Sequence, residues 1–204
     1  MAVFRDTWKL RLVALAILFG SMWLVWALDA LTPGPGSAAG IGIVPRTWDG
    51  LEGIPAAPFI HAGLDHMLSN SVPLLILGGL IVLSGTMDLV FVVLVSGLVG
   101  GLGTWLFGSG DRQHVGASGL VFGFFGYLVF RVAFDRRVIS ALVTLAVAAL
   151  YGSAMIFSLI PEETISWSGH FFGFLGGVIA ARMRHPAHHV SAHTKRLFGI
   201  SSGQ

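Results

Sequence analysis

The sequence predicts an all-α membrane protein: six transmembrane helices packed as one bundle, with both termini in the cytoplasm. Three observations predict it. The 204 residues are 54% hydrophobic and only 11% charged, against roughly 25% charged in a soluble domain. The apolar residues fall in long runs, and a helix that crosses a bilayer needs about 20 of them. The lysines and arginines gather beside alternate connections, which orients the runs. The composition also excludes some functions. There is no cysteine, so disulfides, thiolate catalysis and cysteine metal sites are absent. A net charge of +2 is too small to point to nucleic acid.

The first run, Leu10–Leu31, follows a basic start of Arg5, Lys9 and Arg11. It is longer than the roughly 7–15 residues of a secretory signal core. Ala27 to Ala30 is therefore not read as a cleavage site. A long outer loop follows, at about 32–63. It is rich in glycine and proline yet carries Ile41, Ile43, Val44, Trp48, Leu51 and Ile54. Such a loop is expected to lie on the outer membrane surface, with Trp48 at headgroup level. The second run, Leu64–Leu83, contains Pro73, which frees the Ser69 carbonyl and bends the helix. The third and fourth are Asp88–Phe107 and Val115–Phe134. The fifth is Val138–Ile160, with large apolar side chains suited to a gate. The sixth, Ser166–Ala181, is short and glycine-rich.

Arg131, Arg136 and Arg137 flank the fourth connection, and Arg182, Arg184, Lys195 and Arg196 follow the last run. With the basic start, they place residues 1–9, the fourth connection and the tail 182–204 in the cytoplasm. The tail holds His185, His188, His189 and His193 and is read as disordered, with no specific metal site. The compartment expected is a plasma membrane, that of a bacterial cell.

In that orientation the second, fourth and sixth helices run inward. Ser118 then lies about three residues into the fourth, on the order of 5 Å below the outer edge. It sits in the first turn, where backbone N–H groups lack partners and the dipole favours an anion. His170 falls at a similar depth in the sixth helix and is the candidate base. His66 and Asn70 are four apart and share one face of the second helix. His61 precedes them. Glycines at 116, 119, 123 and 126, and at 169, 173, 176 and 177, would let the fourth and sixth helices touch. A serine at a helix start is more often a structural cap, so the shared depth of these residues carries the functional reading. His114, four residues before Ser118, lies in a connection and is a poor base candidate. Asp88 and Asp135 belong to the far side. Asp65, Glu162 and Glu163 lie on the near side.

The segments HAGLDHMLSN (61–70), GASG (116–119) and GHFFG (169–173) resemble the rhomboid family of intramembrane serine proteases. GASG alone is weakly specific; the three in order on the right helices are strongly so. The resemblance spans nearly the whole chain and implies a six-helix rhomboid-like bundle. It implies that Ser118 is the nucleophile and His170 the general base of a dyad with no acid. Asn70, His66 and the Ser118 N–H would form the oxyanion hole. His61, Phe122, Gly116 and Gly119 would be accessory, with Phe122 packing on His170 where the family often has tyrosine. Arg46 and its apolar surroundings look like the family's long first loop. The expected activity is endopeptidase cleavage of transmembrane proteins near their outer end, without cofactor or metal, at a site open to the extracytoplasmic side. The alternative is a catalytically silent relative that binds transmembrane clients. A channel would need polar residues through the full depth, and the inner halves of the second, fourth and sixth helices are apolar. Oligomeric state is not legible.

Overall fold

The computed structural model describes residues 6–32, 40–160 and 166–185. Within them the chain is helical. The elements are α1 (Trp8–Leu31), α2 (Trp48–Glu52), a 3-10 turn at Ala57–Phe59, α3 (Leu64–Val82), α4 (Thr86–Phe107), α5 (Ser118–Asp135), α6 (Val138–Phe157) and α7 (Trp167–Arg184). Five of them, α1, α3, α4, α5 and α6, are long and apolar enough to cross a membrane. The sequence leads one to expect six. The exception is α7, whose glycines, His170, Arg182 and Arg184 dilute its apolar residues. Its composition reflects its place: α7 packs between α4 and α5, where helix partners take the positions that lipid takes elsewhere.

Glycine makes that central position possible. A Cβ on Gly173 would strike the Gly119 carbonyl, and one on Gly177 would strike the Gly123 carbonyl. On the other side Gly100 meets the backbone of Gly173, and Gly103 meets the ring of Phe172. Backbone thus lies on backbone, as close packing of membrane helices requires. By contrast α1 and α6 sit at the margins. Leu142, Leu145, Leu150 and Phe157 of α6 are exposed, as are Leu12, Ile17, Leu24 and Leu28 of α1. With five apolar helices, these faces are suited to lipid.

One end of the bundle collects the charges. Arg11, near the start of α1, donates to the Leu83 carbonyl at the end of α3 and pairs with Asp6. Arg184 pairs with Asp88, and Arg131 with Asp135. Arg131 also donates to Ser84. The basic residues that orient the sequence therefore lie together, and Asp88 and Asp135 lie with them.

The opposite end is tied by a loop. Ile43 and His114 exchange backbone hydrogen bonds of 3.0 and 2.9 Å. The Arg46 guanidinium donates to the Leu106 and Gly108 carbonyls, capping the end of α4. Trp105 Nε1 donates to the Thr47 carbonyl. Gly116 N–H donates to the Ala57 carbonyl, and Ala117 N–H to His61 Nε2. Gly116 has φ +109°, a conformation glycine tolerates. That turn explains why α5 begins at Ser118 and not near Val115: the chain cannot be helical through Gly116. Ser118 is the first helical residue, not the fourth.

Two histidines work in this frame. His114 Nε2 donates to the Ser109 carbonyl at 3.0 Å, so its Nδ1 accepts from the Ser166 hydroxyl at 2.7 Å. This links the approach to α5 with the start of α7. His61 uses Nε2 as acceptor, so it must be neutral. Burial first, and then the nearby His66, push its pKa down from 6.5 to about 4. Burial also lowers His114.

Two predictions follow from these contacts. Gly177→Ala drives a methyl group into the Gly123 carbonyl. It should destabilise the chain by about 1–3 kcal/mol, read as a fall in thermal unfolding temperature in detergent. Gly152→Ala, with open space around its Cβ, should raise it slightly. The second concerns acid. The unfolded chain binds more protons than the folded one between the lowered and ordinary histidine pKa values. Stability should be full above about pH 6.5 and fall as the pH drops towards about 4. His61→Gln should shallow that slope in unfolding scans across this range; an unchanged slope would remove His61 from the account.

Candidate active site

A cavity of ≈ 490 Å³ opens at the tied end of the bundle. Its lining includes Ser118, His170, His66 and Asn70. The three inward-reading helices of the sequence, α3, α5 and α7, each deliver residues to it from near their starts. Tyr151, Met155 and Ser158 of α6 and its C-cap close another side. His61 does not line the cavity; it stands behind the Gly116–Ala117 turn, with its ring edge-on to His66 at 5.0 Å.

His170 is held on two sides. Its ring stacks on Phe122 at 4.1 Å between centroids and 7° between planes. Its Nδ1 lies 2.9 Å from the Ser158 carbonyl. A carbonyl only accepts, so Nδ1 carries the proton and Nε2 keeps its lone pair. That is the tautomer a base needs. The third group that orients it is a backbone carbonyl, with no carboxylate bonded to the ring among the described residues. Asp65 is outside the lining. Glu162 and Glu163 lie outside the described residues.

Ser118 stands half-buried at the α5 start. The first helical hydrogen bond of α5 runs from Val121 N–H to the Ala117 carbonyl. The N–H groups of Ser118, Gly119 and Leu120 therefore have no partner within the helix. Asn70 Nδ2 donates one hydrogen to the His66 carbonyl at 2.9 Å, which leaves the other free. Gly116 packs against His66: a Cβ there would fall 2.5 Å from its Nε2 and 3.7 Å from Asn70 Nδ2. Gly116 thus admits both side chains to the α5 start, and Gly119 admits α7, with the Gly169 carbonyl 3.3 Å from where its Cβ would be. Among the described residues, Ser118 Oγ and His170 share the cavity without a hydrogen bond between them.

A smaller cavity of ≈ 50 Å³ also borders Ser118, between α4, the loop and the α5 start. Ser96, Thr104 and Ser166 line it with Gly119, and the buried Ser96 hydroxyl has no protein partner. It has the room and polarity to hold water. The contribution of α4 through Ser96 was not legible, because one serine in an apolar run carries no signal. The roles of Ser158 and Ser166 were hidden for a different reason: one acts through its backbone and the other through a histidine 52 residues away.

The arrangement can activate a hydroxyl and hold an anion. An unprotonated imidazole nitrogen, a hydroxyl and several free donors border one partly open cavity. His66 borders the same space with neither ring nitrogen bonded among the described residues, whereas His114 and His61 do not offer the same set. Both nitrogens of His114 are engaged, and His61 is turned to the backbone.

Comparison with known proteins places the chain in a family. A sequence profile of the Rhomboid domain matches residues 51–187. An uncharacterized protein of Mycobacterium tuberculosis is 34% identical over 186 residues, covering 87% of this chain and 76% of its own length. One from Mycobacterium leprae is 33% identical over 189 residues, covering 87% and 72%. A Bacillus subtilis protein that bears the name "Putative rhomboid protease" is 33% identical over 121 residues, covering 59% and 60%. With more than half its length inside that profile and its apolar helices packed as a membrane bundle, the chain belongs to the rhomboid family.

Proposed function

We propose that this chain is an intramembrane serine endopeptidase that cuts transmembrane proteins near one end of their helix, using Ser118 and His170. The observation that carries the reading is the His170 ring, protonated at Nδ1 by its bond to the Ser158 carbonyl and free at Nε2, in the cavity that Ser118 lines. His170 takes the Ser118 proton as Oγ attacks the peptide carbonyl. The oxyanion is received by the Ser118 N–H, Asn70 Nδ2 and His66. His170 then protonates the leaving amine, and water hydrolyses the ester with His170 acting again. The missing hydrogen bond between Ser118 and His170 does not oppose this, since such bonds are often long until substrate binds. A substrate helix hides its backbone, so the cut falls where it unravels.

The topology belongs to the same proposal. α7 crosses the membrane with the other five long helices, both termini lie in the cytoplasm, and the cavity opens to the outer side. The clustering of Arg11, Arg131 and Arg184 at one end supports it.

Two experiments test this. Purified chain in liposomes should cleave a model transmembrane substrate and react with a fluorophosphonate probe. Ser118→Ala should abolish both, and His170→Ala should reduce both to background. Asn70→Ala should slow cleavage by about 10²-fold, the usual effect of one lost oxyanion donor. Cutting that survives Ser118→Ala would end the proposal. Helix binding without cutting or labelling would favour a silent client-binding protein. For topology, the absence of cysteine permits single-cysteine labelling. Trp48→Cys and Asp111→Cys should react from outside, and Arg136→Cys and Met183→Cys only from inside. Outside labelling at position 183 would show that α7 does not cross.

A further inference from the structure

The end of the bundle away from Ser118 holds a second large cavity, of ≈ 460 Å³. It is lined by the end of α3, the starts of α4 and α6, the lower part of α5 and the end of α7. Three guanidinium groups reach it: Arg131, Arg137 and Arg184. Asp88 is the carboxylate in the lining, and it is held by Arg184. Arg131 is held by Asp135, which also accepts from the Ser140 hydroxyl and the Arg137 N–H. The Arg137 side chain is exposed and has no ion pair or hydrogen bond among the described residues. Three cations face two carboxylates, which leaves one positive charge. His185, also in the lining, shares a hydrogen bond of 3.1 Å with the Tyr127 hydroxyl.

The rest of the lining is apolar: Leu80, Leu83, Leu128, Ile139 and Val143. A free inorganic anion would use the arginines and leave those walls wet. A phosphate ester carrying hydrocarbon would use both. The space above is available, because α3 and α6 are not packed against each other. Basic pockets between membrane helices are suited to anionic headgroups.

We propose that this cavity binds the phosphate headgroup of an anionic phospholipid, with its acyl chains running between α3 and α6. Arg137 is the principal contact, since Arg131 and Arg184 are already matched to carboxylates. The hydroxyl of Ser84, which accepts from Arg131, helps to set the polar floor. The leaflet that supplies the lipid rests on the orientation proposed above; the binding itself does not, and nor does it depend on protease activity.

The test is native mass spectrometry of the purified full chain in detergent, titrated with phosphatidylglycerol or phosphatidylcholine. Phosphatidylglycerol should bind more tightly. Arg137→Gln should weaken it about five-fold, the usual effect of one basic side chain at an anionic lipid surface. Arg137→Lys should recover most of the loss. Lys9→Gln removes the same charge at the same end but outside the cavity, and should change nothing. Unfolding scans of the Arg137 variants confirm that each is folded. Equal binding of the two lipids, or equal losses in Arg137→Gln and Lys9→Gln, would overturn the proposal. So would displacement of the lipid by millimolar inorganic phosphate, which would make the site one for a soluble anion. Because the readout is lipid mass, the result stands whether or not the chain cuts substrates.

Discussion

The site depends on one contact: the backbones of α5 and α7 touch with no side chain between them. Gly119 lies on Gly173 and Gly123 on Gly177. In a bilayer there is no hydrophobic gain from bringing two helices together, because lipid is as apolar as either. What holds α7 is close van der Waals packing on both flanks, and larger residues would forfeit it. The same approach sets the height of His170 against α5, so that its ring lands flat on Phe122 and its Nε2 enters the cavity of Ser118. A displacement of α7 by the width of a methyl group would move the His170 ring relative to Ser118. Stability and chemistry are thus limited by the same glycines.

The second constraint is the start of α5. A helix N-terminus provides free N–H donors only if something else ends the preceding chain in the right place. Here the ending is made by Gly116 in a left-handed conformation and by bonds from Ala57 and His61 to the turn. His61 takes the Ala117 N–H, one residue before the serine, and leaves the Ser118 and Gly119 donors open. The loop between α1 and α3 serves this arrangement through Ile43 and His114. It is a brace for the serine.

Much of this was legible in the sequence. The apolar runs located six helices to within a few residues, and five of them are long and apolar enough to cross a membrane. That Ser118, His170, His66 and Asn70 belong near the starts of three helices followed from the apolar runs. Rotation did not follow. That all four line one cavity depends on the glycine faces, which the sequence suggests but cannot phase. α7 was the weakest helix by composition, since its surroundings come from α4 and α5. The start of α5 was placed three residues early because Gly116 reads as part of an apolar run until its φ is known. His114 was read as a loop residue of no evident role. Its two hydrogen bonds join segments that sequence distance separates, and no local pattern could have announced them.

The histidines at this end divide the work by which nitrogen is left free. His114 spends both on protein partners, and His61 spends its acceptor on a backbone donor. Each is kept neutral by burial, so neither can trade protons near pH 7 without loosening the loop. His170 spends only its donor, on the Ser158 carbonyl. His66 is bonded through neither ring nitrogen among the described residues and borders the same cavity. His170 and His66 therefore border the cavity with a nitrogen unbonded among the described residues, while the two rings that hold the frame are engaged by it. Residues of one type at one end of the bundle thus differ by what stands opposite each ring: protein partners for His114, a backbone N–H for His61 and the Ser158 carbonyl for His170.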